Sequence, residues 1–78
     1  MGNYIRSYKL MELGIYKHYK GQLYEVLGIA THSETLEKLV VYKATYQTEG
    51  ENIWVRPLNM FTESVIINGV STARFVKV

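Results

Sequence analysis

The dipeptide Asn68-Gly69, set between Val65-Ile66-Ile67 and Val70, constrains this chain more than any other feature. A two-residue type I′ turn needs positive φ at both central positions, which Asn and Gly accept and most residues resist. The pair therefore predicts a tight β-hairpin near the C-terminus. Upstream, apolar-rich stretches are divided by Lys20-Gly21, by the polar run Thr31 to Glu37 and by Glu49-Gly50-Glu51-Asn52, each rich in turn-forming residues. Arg56-Pro57-Leu58-Asn59-Met60-Phe61 adds one short helical turn, because Pro suits a first helical position and Leu58 and Phe61 lie three apart.

Short strands at intervals of about ten residues, without βαβ alternation, predict an all-β fold. The expected architecture is a small SH3-like barrel of five to six antiparallel strands with that one helical turn, and the alternative is an OB-like barrel. Residues 14–78 form this single domain. Residues 1–13, where Tyr4, Ile5, Tyr8, Leu10, Met11 and Leu13 approximate a helical stripe, are expected to form an N-terminal arm or short helix. That arm offers one route to a homodimer, by packing on a second copy.

Register assigns the faces, since a slip of one residue turns every side chain over. Setting His32 opposite Lys38 brings Ala30 to Val40, Gly28 to Tyr42, Val26 to Ala44 and Tyr24 to Tyr46, an uncharged face that would be the core. A three-residue loop Tyr19-Lys20-Gly21 with Gly21 left-handed sets Tyr16 opposite Tyr24 and His18 opposite Gln22; a two-residue loop would reverse this. A four-residue loop Glu49 to Asn52 then turns Val55 inward with Tyr46. It turns Trp54 and Arg56 outward, near Lys43, Thr45 and Gln47.

At 78 residues with no cysteine, the chain is one small domain without a disulfide framework or thiolate chemistry, burying about 60% of its unfolded surface. No apolar run approaches the roughly 20 residues that cross a bilayer, so no membrane role and a cytoplasmic setting are expected. The net charge of +2 is too mild to announce nucleic acid on its own.

Candidate ligand-binding residues form two groups. One is the loop His32, Ser33, Glu34 and Thr35; its side chains are expected mainly to tie down their own backbone, and otherwise to offer a polar pocket to a small molecule or substrate. The other is the outer patch of Lys43, Trp54 and Arg56, with His18, Tyr19 and Lys20 as secondary candidates. His18 lies near Gln22, and His32 is ten residues further along that strand, roughly 33 Å when extended, so the two do not pair as metal ligands. No metal, nucleotide cofactor or catalytic residue is assigned, because the scattered glycines form neither a P-loop nor a dinucleotide fingerprint.

Gly14-Ile15-Tyr16-Lys17-His18-Tyr19-Lys20-Gly21, Tyr24-Glu25-Val26-Leu27-Gly28, the block His32 to Glu37, Leu39-Val40-Val41-Tyr42 and the block Trp54 to Phe61 follow one another in an order that resembles the small bacterial domains grouped as domain of unknown function 1653. The resemblance covers about Gly14 to Phe75. It implies a stand-alone cytoplasmic domain and supplies no catalytic residues. The expected function is a non-catalytic binding module for nucleic acid or a protein partner, and the alternatives are a small-molecule-binding protein or enzyme using the His32 to Thr35 loop, or a structural homo-oligomer.

Overall fold

The computed structural model describes residues 11–50 and 52–78. Seven strands and one helical turn follow in the order β1 (Gly14–His18), β2 (Leu23–Thr31), β3 (Lys38–Ala44), β4 (Ile53–Pro57), α1 (Leu58–Phe61), β5 (Ser64–Ile67), β6 (Val70–Ala73) and β7 (Phe75–Lys77). The all-β antiparallel class is as expected. The sheet, however, is open: five strands run in the order β4-β3-β2-β1-β7, and β5 and β6 form a separate hairpin. The sheet therefore curls without completing a barrel, and β4 and β7 are its two edges. The N-terminal arm expected over 1–13 lies mostly outside the described residues.

Local turn chemistry behaves as read. Asn68 and Gly69 have φ of 51° and 79°, both positive, between Ile67 and Val70. Gly21 is left-handed at φ 108°, its N–H donates to the His18 carbonyl, and Tyr16 faces Tyr24. Pro57 caps α1 instead of entering it, with φ −51° and ψ 139°.

Two register expectations fail. Along β2 and β3, Tyr24 pairs with Ala44 and Val26 with Tyr42, but beyond Leu27 the pairing moves to Gly28 with Val41 and Ile29 with Val40. Leu27 is the extra residue of a β-bulge, so past it Ile29 packs on the core in place of Gly28 and Ala30. The second failure concerns β3, which stops at Ala44 and not at Thr48. The Thr45 hydroxyl donates to the Leu23 carbonyl at 2.8 Å, and the Asn52 side-chain amide donates to the Gln47 carbonyl at 3.1 Å, closing a longer loop. Tyr42 then pairs with Trp54, Val40 with Arg56, Lys43 with Ile53 and Val41 with Val55. Trp54 and Arg56 stand on the inner face with Tyr42 and Val40, and Val55 stands on the outer face.

The core gathers Tyr16, Val26, Val40, Tyr42, Phe61 and Phe75. Phe61, from a helix of four residues, is 1% exposed and stacks on Phe75 with ring centroids 4.0 Å apart and parallel planes. Tyr16 and Tyr42 each approach Phe61 at 5.6 Å. One residue of α1 thus ties the middle of the sheet to its last strand by aromatic packing.

Candidate functional site

Side chains of β4, the β1–β2 turn and the start of β7 come together around Phe75, at a place here called the mouth. Arg56 projects from β4 across the inner face until its guanidinium carbon lies 5.9 Å from the centroid of the Phe75 ring. Its position is a cation over an aromatic face, which favours a delocalised guanidinium. Arg56 is half-buried, its Nε is buried without a hydrogen-bond partner, and it forms no ion pair among the described residues. Such a charge is costly to hold unless something neutralises it.

Several groups lie near that charge or near its neighbour His18. The Tyr24 and Tyr46 hydroxyls lie 3.2 Å apart, and Tyr24 is pushed up to about 12 by burial first and then by its hydrogen bond with Tyr46. His18 packs its ring against Phe75 at 5.0 Å and Tyr19 at 4.4 Å. Burial, then the charges of Arg74, Lys20 and Arg56, hold its imidazole below the ordinary value. The Lys20 ammonium lies 5.9 Å from the Tyr19 ring. Arg74 differs from Arg56 in having a partner, the Glu63 carboxylate at 2.6 Å, although its Nε is likewise buried and unpaired. Trp54, half exposed, lies two residues from Arg56 on the same face.

The sequence-derived candidates are thus regrouped. His18, Tyr19, Lys20 and Arg56 come together, with Trp54 on the same face. Lys43 does not join them: it projects to the outer face and faces Glu25 across the ladder, with its ammonium 3.8 Å from the carboxylate. Arg74 and the Tyr24–Tyr46 hydroxyl pair belong to the mouth and were missed, since both tyrosines read as core and nothing near Arg74 in the sequence links it to His18.

His32 to Thr35 form a self-contained loop. The Glu34 and Thr35 N–H groups donate to His32 Nδ1 at 3.1 and 3.3 Å, and the Glu37 N–H donates to the Thr35 hydroxyl at 3.2 Å. The His32 N–H donates to the Glu37 carbonyl at 2.8 Å. The tying-down expected of the Ser33 and Thr35 hydroxyls and the Glu34 carboxylate is seen for Thr35, while the main acceptor is His32 and the Ser33 and Glu34 residues are exposed. His18 repeats the device, accepting the Lys20 N–H on Nδ1 at 3.1 Å. Each imidazole keeps only Nε2 for other partners, and among the described residues no three His, Cys, Asp or Glu side chains group as metal ligands. No helix among them is long and apolar enough to cross a membrane.

An open five-stranded antiparallel sheet beside a two-stranded hairpin, packed on an aromatic core, defines a small all-β domain. The family described as "Protein of unknown function (DUF1653)" matches residues 14–77, and the chain belongs to it. The structure is similar to the crystal structure of a DUF1653 protein from Bordetella bronchiseptica, with a TM-score of 0.81 and 36% identity over 90% of each chain. A search of curated proteins gave no match.

Proposed function

We propose that the protein is a non-catalytic binding module that takes an anionic segment of a protein partner at the mouth, with Arg56 as charge anchor and Trp54 as aromatic wall. The observation that carries this reading is Arg56: a half-buried guanidinium without a carboxylate partner among the described residues, beside a half-exposed indole. Arginine and tryptophan are the side chains that most often dominate binding energy at interfaces. A catalytic reading lacks support, because His18 at the mouth and His32 in its own loop both spend Nδ1 on backbone N–H groups. Single-stranded nucleic acid is the competing occupant, since it too brings anions and rings.

Trp54 is the one tryptophan of the chain, so its fluorescence reports on this face alone. Titration at low salt with a glutamate-containing peptide is expected to shift its emission, with affinity falling as salt rises. Arg56→Gln is expected to weaken binding roughly tenfold or more, the range for one charge-assisted hydrogen bond. Equal binding by the variant would remove Arg56 from the site. A response to oligothymidylate but to no peptide would give the mouth to nucleic acid.

A further inference from the structure

The β4 edge carries a second property that the mouth does not explain. The Ala44 N–H donates to the Asn52 carbonyl at 3.2 Å, which makes that opposed pair a hydrogen-bonded one. Alternation along the same register gives hydrogen-bonded pairs at Tyr42–Trp54 and Val40–Arg56, and non-hydrogen-bonded pairs at Lys43–Ile53 and Val41–Val55. The backbone N–H and C=O groups of Ile53 and Val55 therefore point away from the sheet. Pro57, which has no N–H, occupies the next outward position, as an edge strand allows.

Proteins commonly blunt such an edge with a charge, a bulge or a covering segment. Here Ile53, Trp54 and Val55 are 53, 50 and 57% exposed in a row, and the one charged side chain of the strand, Arg56, turns its head inward over Phe75. The opposite edge, β7, is three residues long and carries Lys77. An edge with no paired strand among the described residues, beside a cation with no carboxylate partner among them, suits strand addition, in which main-chain bonds give affinity and alternate side chains give selectivity.

We infer that β4 is a strand-addition site: an extended partner segment lies along Ile53–Pro57 as a sixth strand, its inward side chains including a carboxylate that meets Arg56. The inference rests on the proposed anionic partner and names how that partner docks. A residue bonded to Ile53 or Val55 sends its side chain to the outer face, so its neighbours point inward to Trp54 and Arg56. The segment is accordingly alternating, apolar outside and acidic inside. A second copy of β4 does not meet this requirement, because Ile53–Pro57 contains no carboxylate.

The test uses the full chain and a capped ten-residue peptide alternating Val and Glu. It is expected to shift Trp54 emission and slow hydrogen exchange at the Ile53 and Val55 amides. The same peptide N-methylated on its valines is expected to bind about tenfold more weakly, as the loss of two ordinary hydrogen bonds gives. An alternating Val-Lys peptide is expected not to bind. Val55→Pro, which removes an N–H that no ladder uses, is expected to reproduce the N-methyl effect with the fold intact. If the methylated peptide binds as well as its parent and both depend on Arg56, strand addition is overturned while the anionic reading stands. Protection of Ile53 and Val55 that is indifferent to Arg56→Gln overturns the charge anchor instead. Sedimentation showing a dimer with those amides already protected overturns the inference in favour of a second copy.

Discussion

His18 and His32 do the same local task in two different turns. Each starts a hairpin connection, and each accepts on Nδ1 the N–H of the residue two positions on, as Asn and Asp side chains do in Asx-turns. An accepting Nδ1 places the neutral ring's proton on Nε2. Charging His18 would break its turn bond, and burial followed by the charges of Arg74, Lys20 and Arg56 opposes the proton as well. The unfolded chain, at about 6.5, then binds a proton that the folded chain resists. Stability is full above that pH and falls as the pH drops toward the depressed folded value. Circular-dichroism melts are expected to show a lower midpoint at pH 5.5 than at 7.5. His18→Asn keeps an acceptor without titrating, so it should remove much of that difference; an unchanged difference would refute the assignment. Tyr24 works in the opposite direction. Its phenol is pushed up to about 12 by burial, then by Tyr46, so its contribution holds below about 10 and is lost as the pH climbs toward the folded value. Burial also raises the Tyr16 phenol, so absorbance titration of tyrosinate should show late-ionising groups, one of which Tyr24→Phe removes.

At the scale of elements, β2 is the strand on which the faces depend. The Leu27 bulge shifts its partners by one residue, so Val26 and Ile29 both reach the core although they are three apart. Deleting Leu27 leaves Val26 opposite Tyr42 and Gly28 opposite Val41 in an unbroken ladder. The deletion is expected to fold, with a urea midpoint closer to that of the parent than to that of a core truncation such as Val26→Ala. Because bulges increase twist and bend the strand, it is also expected to bind the acidic peptide more weakly. The bulge marks the limit of what could be read from residues alone. Asn68-Gly69 and Lys20-Gly21 were legible because each turn is a constraint on two or three neighbouring φ angles. The inward set Tyr24, Val26, Tyr42 and Ala44 was legible because a pairing error of two residues preserves faces. Where the error was odd, as for β3 against β4, it put Trp54 and Arg56 on the wrong side, since the closing bonds of Thr45 and Asn52 depend on the folded loop. Lys43 was lost from the patch for the same reason.

For the molecule as a whole, a chain of 78 residues has a small margin of stability and concentrates it in few contacts. Phe61 is the extreme case, fully buried and stacked on Phe75 from a helix of only four residues. Phe61→Ala is expected to cost about 3–5 kcal/mol, a large part of the roughly 5–15 kcal/mol typical of a domain, and urea denaturation would measure it. A loss below about 1 kcal/mol would mean that the edges are held by something else. A closed barrel has its circumference fixed by an unbroken hydrogen-bond ladder. Here β4 and β7 meet through the reach of Arg56 to Phe75 and through Phe61 of α1, which follows β4 and stacks on Phe75. The spacing of these two edges therefore depends on a few side chains and on one backbone bond, from the Arg74 N–H to the Glu63 carbonyl, instead of on a continuous ladder.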